Sequence, residues 1–227
     1  MKYSKLPRIY VSSLLEAHKS IQLDNDNLNY LKNVMRLKEG FSFRVFNEAC
    51  GEFLASFSLS GKVQIQEILR KPHEHKSSIT LFASIIKQDK FELMCDMAVQ
   101  LGVSDIVPII TDRVQKRELN IERLKKIMLE ASRQCERLDI ASISEPIDIK
   151  DIKYKDFERI YFANENEDNT ASFENKGKVG VIVGAEGGFT DEEVLSLSKI
   201  PNVISVSLGE NVLRAETATV AMLARLI

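Results

Sequence analysis

The chain has 227 residues, 44% of them hydrophobic and 28% charged, enough to bury a substantial core in one large domain or two small ones. No apolar run approaches the roughly 18 residues that a membrane span needs. The opening MKYSKLPRIYVSS has no apolar stretch of signal-peptide length, so a soluble cytoplasmic protein is expected.

The net charge of −2 is unevenly divided. Residues 1–72 carry 11 Lys/Arg against 7 Asp/Glu, and residues 73–227 carry 20 against 26. A small basic half beside a larger acidic half suits contact with a polyanion, although ordinary surface charge gives the same tally. The three cysteines, Cys50, Cys95 and Cys135, are far apart, with no zinc spacing, and fit free thiols in a reducing compartment. His73 and His75 lie in the polar run RKPHEHKSS and read as surface residues, so no metal site is expected.

In chain order, Arg8–Val11 reads as a short strand. Asp24 caps a helix whose apolar face is Leu28, Leu31, Val34 and Met35, ended by Gly40. Three strands are expected at Phe41–Phe46, Glu52–Ser58 and Lys62–Leu69, with glycine turns between them, which suggests a small barrel. The domain boundary falls in the polar segment 70–78, giving domains 1–72 and 73–227. Beyond it strands and helices alternate. Ile79–Ile85 is an apolar strand, followed by a helix with Phe91, Met94, Cys95 and Ala98 on one face and Gly102 at its end. Asp105–Ile110 is a strand and Asn120–Leu138 a long charged helix. Arg159–Ala163 and Val179–Val183 are short apolar strands. Thr190 caps a helix in a capping box with Glu193, Val203–Ser207 is a strand, and Arg214–Ile227 is a final helix. This alternation predicts an α/β domain with a mostly parallel sheet.

Two segments carry candidate chemistry. In Val181-Ile182-Val183-Gly184-Ala185-Glu186-Gly187-Gly188-Phe189-Thr190, a buried strand runs into three glycines and then a capped helix. Glycines let backbone approach a ligand, and α/β folds place ligands at the carboxyl ends of parallel strands. The segment is neither a GxGxxG fingerprint nor a Walker loop, and it lacks the lysine and metal carboxylates a nucleotide hydrolase needs. In Leu208-Gly209-Glu210-Asn211-Val212-Leu213-Arg214-Ala215-Glu216-Thr217-Ala218, another strand ends at a glycine and an apolar helix opens on Arg214 and Glu216. A cation is disfavoured at a helix N-terminus, so Arg214 has either a ligand or a local partner in Glu210 or Glu216.

Together these segments resemble the C-terminal signature of the RsmE-type uridine-N3 methyltransferases of 16S ribosomal RNA, a branch of the SPOUT superfamily. Further resemblances are Pro7-Arg8-Ile9-Tyr10-Val11, the segment from Tyr30 to Gly40, Ala98–Val103 and Gln134-Cys135-Glu136-Arg137, so the likeness covers nearly the whole chain. The chain departs from the family at Ala185, where proline is usual, and at Tyr30, Met97 and Gln100, which stand for histidine, lysine and glutamate.

The resemblance implies a PUA-like barrel that grips RNA, with Arg8, Arg36 and Lys38 on its positive face, and a SPOUT domain containing a trefoil knot. It implies S-adenosylmethionine held by Gly184, Glu186, Gly187, Gly188, Leu208, Gly209, Val212 and Leu213. Arg214 and Glu216 become the catalytic candidates, Glu216 with helix capping as an equal alternative. A homodimer acting on 16S ribosomal RNA, within the small ribosomal subunit, is implied. Another RNA substrate, in transfer RNA or 23S ribosomal RNA and with methylation at a ribose hydroxyl, or a non-catalytic RNA-binding role, remains the alternative.

Overall fold

The computed structural model describes residues 3–72, 77–114, 118–165, 167 and 172–227. His73 and His75, and part of the expected linker, lie outside the described residues. The chain divides into two compact units, Met1–Glu74 with Ser132–Ile140, and His75–Ala131 with Ala141–Ile227. The segment 132–140 was expected in the C-terminal domain; it groups instead with the first unit.

In the first unit, β1 (Arg8–Tyr10), β2 (Ser20–Gln22), β3 (Ser42–Asn47), β4 (Gly51–Ser56) and β5 (Lys62–Arg70) form a curled sheet in the order β1-β3-β4-β5-β2. β1 lies parallel to β3 and the other pairs are antiparallel. Register shifts between β4 and β5, around Phe53, sharpen the bend, because an unpaired residue increases local twist. Alternation along the strands sends Phe43, Val45, Ala55, Val63 and Ile65 into one core with Ile9, Leu31 and Phe57.

Asp24 caps α1 (Asn25–Asn29), accepting from the Asn27 amide at 2.7 Å. The expected single apolar face does not survive. From Tyr30 to Val34 the helix continues as a π turn, with Met35 N donating to Tyr30 O at 2.9 Å. Bonding to the fifth residue rotates the later positions off the face. Leu31 stays fully buried, whereas Val34 is 61% exposed and Met35 40%. Arg36 then turns the chain at φ 54°.

Arg8 corrects an expectation. It is buried, not displayed to RNA. Its Nε pairs with Glu52 Oε1 at 2.5 Å, Nη1 donates to Ser132 O at 2.9 Å, and Nη2 donates to Arg137 O. Arg70 Nε takes the other Glu52 oxygen at 2.7 Å, and Arg44 Nη1 reaches Glu136 at 2.7 Å. A buried cation is tolerable only when so compensated. These bonds tie the segment 132–140 to the sheet.

The second unit contains β6 (Ser77–Ser84), α2 (Gln88–Gln100), β7 (Asp105–Ile110), α3 (Ile121–Gln134, which ends in the first unit), β8 (Ser142–Ile143), β9 (Ile147–Asp148), β10 (Arg159–Ala163), β11 (Gly177–Val183), α4 (Asp191–Ser198), β12 (Val203–Val206) and α5 (Ala215–Leu223). Its sheet is parallel throughout the described residues, in the order β12-β10-β11-β6-β7-β8, with β9 also on β7. The expected α2 face, Phe91, Met94, Cys95 and Ala98, is buried, and α5, which packs against α2, buries Ala218, Met222 and Leu223, while Val220 and Ala221, also expected in the packing, are half-buried. Among the described residues no helix is long and apolar enough to cross a membrane, and no cluster of His, Cys, Asp or Glu has metal-site geometry.

Candidate active site

β10, β11 and β12 are neighbours running the same way, so their carboxyl ends open side by side. Their ends and the loops leaving them line one pocket: Ala163 at the end of β10 with Asn164 and Glu165 after it, Gly184, Ala185, Gly188 and Phe189 after β11, and Leu208, Gly209 and Asn211–Leu213 after β12. Ala215 and Ala218 of α5 close it. This is where a parallel sheet is expected to hold a ligand.

The β11 loop is shaped by close packing. A Cβ at Gly184 would meet the Phe189 ring at 2.7 Å, so only glycine leaves room for that ring. Phe189 in turn sets its edge on Phe162 of β10, centroids 4.8 Å apart at 74°. A turn follows, with Gly188 N donating to Ala185 O at 2.9 Å and Gly188 at φ 67°. α4 then starts on the expected capping box. Thr190 Oγ1 accepts from Glu193 N at 3.3 Å, and Glu193 Oε2 accepts from Thr190 N at 2.8 Å. Glu193 is buried and also accepts from Asp112 N at 2.9 Å.

The β12 loop is open. Gly209 sits at φ 116°, with nothing within 4 Å of where a Cβ would project. Val212 lines the pocket yet is 78% exposed, a large apolar side chain left in water on the rim. Arg214 is the N-cap of α5; its carbonyl accepts from Ala218 N at 2.8 Å. Its side chain is exposed and forms no ion pair or hydrogen bond among the described residues, so pairing with Glu210 or Glu216 is not found. Glu216 is half-buried in the first turn of α5, where the helix dipole favours an acidic group.

The structure thus brings together Gly184, Gly188, Leu208, Gly209, Val212 and Leu213, with Arg214 between two pocket residues. Glu186 and Gly187 are exposed and lie outside the lining. Arg36 and Lys38 are exposed in the first unit. Sequence reasoning missed Asn164, Glu165 and Phe189. The first two had a signal, a polar pair directly after an apolar strand. Asn164 is held by its side chain on Ser205 Oγ at 3.2 Å and its amide on Val206 O at 3.1 Å. Two departures from the family pattern have structural explanations: Tyr30 lies under the Arg133 guanidinium at 5.2 Å, and Gln100 bonds Asp96 on its own helix at 2.8 Å.

Residues 73–227 match the RNA methyltransferase domain family, and residues 23–66 match the RNA methyltransferase PUA domain. Ribosomal RNA small subunit methyltransferase E from Rickettsia conorii is 42% identical, over 99% of this chain and 95% of its own length. The protein of the same name from Mesomycoplasma hyopneumoniae is 30% identical over 90% and 92%. A protein from Legionella pneumophila, solved in complex with bound S-adenosylmethionine, superposes with a TM-score of 0.85 at 26% identity, covering 97% of this chain and 96% of that one. The chain belongs to the ribosomal RNA small subunit methyltransferase E family of SPOUT-type RNA methyltransferases with a PUA-like domain.

Proposed function

We propose that this protein transfers the methyl group of S-adenosylmethionine to N3 of a uridine in 16S ribosomal RNA. The observation that carries the reading is the pocket formed where three parallel strands end, built from the two glycine segments that mark the family. The residues present fit the cofactor. Leu208, Val212 and Leu213 offer apolar cover for an adenine face, and the rim position of Val212 makes sense as a surface awaiting a flat ligand. Backbone groups around Gly184, Gly188 and Gly209 are available to the polar edge.

Bound there, S-adenosylmethionine supplies an electrophilic methyl group, and the protein supplies orientation and electrostatics. N3 of uridine carries a proton at neutral pH. Losing it leaves negative charge on the ring, and Arg214, which stands in the chain between the pocket residues Leu213 and Ala215, is the group assigned to stabilise it. Glu216, in the first turn of α5, accepts the proton or orients Arg214. Asn164 and Glu165 provide further polar groups on the loop after β10. The PUA-like unit grips the RNA through Arg36 and Lys38. The active protein is a cytoplasmic homodimer with a trefoil-knotted catalytic domain, acting in the context of the small ribosomal subunit.

Calorimetry with S-adenosylmethionine and, separately, with ATP tests the site. Binding of the first alone is expected, and a folded Gly209→Val variant should lose it, because a branched side chain is strained at φ 116°. Preference for ATP, or unchanged affinity in that variant, would contradict the assignment.

A further inference from the structure

β7 ends at Ile110, and the residues that follow it are stitched to the loop after β11. Asp112 N donates to buried Glu193 at 2.9 Å, and Thr190 Oγ1 lies 3.4 Å from Asp112 Oδ2. Arg113 Nη1 donates to Gly187 O at 2.7 Å. The side chain of Arg113 also lies along the loop: its Cβ and Cδ are 3.4 and 3.5 Å from where a Cβ would stand at Gly187.

Gly187 O and Gly188 N belong to one peptide plane. Its oxygen is held by Arg113 and its N–H by Ala185 O, at 2.9 Å. A peptide between two glycines is the freest in the chain, and holding both of its polar ends removes that freedom. Ala185 and Gly188 line the pocket, although Gly187 does not. The position of the pocket wall therefore depends on a side chain that is itself outside the pocket. The Asp112 and Thr190 contacts fix the origin of that side chain to α4, so the clamp has a firm base.

We propose that Arg113 is a positioning residue that holds the Gly187–Gly188 peptide in the conformation that receives S-adenosylmethionine. The proposal rests on the methyltransferase reading above. Because the side chain is exposed, it is not part of the core, and its removal should leave the fold intact.

The test is calorimetry with S-adenosylmethionine on the full-length wild type, Arg113→Ala and Arg113→Lys, with melting temperature and RNA affinity measured in parallel. Arg113→Ala should bind the cofactor about tenfold more weakly, the scale of one charge-assisted hydrogen bond in partial contact with water. Its melting temperature and RNA affinity should match wild type. Millimolar methylguanidinium should restore part of the cofactor affinity of the alanine variant, and lysine should restore part of it without additive. Wild-type cofactor affinity in folded Arg113→Ala would overturn the proposal. So would a loss that tracks a lowered melting temperature, which marks a structural role, or a loss of RNA affinity alone, which marks a substrate contact. A wild type that binds no S-adenosylmethionine would instead defeat the functional reading, and this inference with it.

Discussion

The ring of Phe189 occupies the space into which a side chain at Gly184 would project, 2.7 Å from the would-be Cβ. Both residues line the pocket, so the glycine is a packing requirement of the site. Gly184→Ala should push the ring off Phe162 and cost about 1–3 kcal/mol, the range for overpacking. S-Adenosylmethionine affinity should fall with it. Thermal melts and calorimetry on the variant check both effects; a variant matching wild type in both would show that the ring has another place to go.

Cations in the first unit divide by burial. Arg8 is sealed against Glu52, whereas Arg36 and Lys38 face solvent. Arg8→Ala should destabilise by about 3–5 kcal/mol, the range for breaking a buried pair. Replacing Arg36 and Lys38 together with Glu should leave the melting temperature within about 1 °C, since exposed substitutions shift stability by only a few tenths of a kcal/mol. The same change should weaken RNA binding and flatten its salt dependence, because fewer counterions are released. An unaltered salt slope would remove these two residues from the RNA face.

Glu136 gives the first unit an acid sensitivity. Burial raises its carboxyl pKa, but the hydrogen bond and charge of Arg44, with Arg70 and Arg8 nearby, outweigh burial and hold it below the ordinary value. A depressed folded pKa contributes stability above the unfolded value, and that contribution is lost as pH falls through the folded one. Glu136→Gln should therefore be less stable than wild type at neutral pH, with the gap closing as acid is added below the usual carboxylate range. Urea midpoints across that range would show it; a gap that does not change with pH would assign the effect to something other than ionisation.

The longer strands of the second unit were readable because their apolar runs are bounded by polar or glycine residues, and Val203 and Asp105 begin strands where the pattern placed them, whereas β8 and β9, two residues each, were missed. Thr190 and Glu193 likewise announced their capping box. Val34 and Met35 misled because a 3.6-residue period assumes α geometry, and the π turn after Asn29 is set by how the segment packs. β2 was missed because Ser20–Gln22 has one apolar residue and gains its order from pairing with β5. At the site, Gly184 and Gly209 stood out as glycines, but the reason for Gly184 is Phe189, which only the packed loop reveals. Arg8 looked like a surface cation because its counter-charge, Glu52, is 44 residues away.

Among the described residues Arg214 has no side-chain partner to lose, so its removal should separate chemistry from stability. A cation at a helix N-terminus is unfavourable by about 0.3–1 kcal/mol, and Arg214→Ala should keep or slightly raise the melting temperature. Cofactor affinity should persist, while single-turnover methylation falls about a hundred- to a thousandfold, as when one donor to developing negative charge is removed. Normal methyl transfer would take Arg214 out of the active site.

Methylation of 16S ribosomal RNA at uridine N3 is open to direct measurement. Small ribosomal subunits from cells lacking this gene can be incubated with the purified protein and S-adenosylmethionine, and the 16S RNA digested and mapped by mass spectrometry. One added methyl group is expected, at N3 of a single uridine, appearing only when protein and cofactor are both present. A methyl group on a ribose hydroxyl, on another class of RNA, or on no nucleotide at all would contradict it.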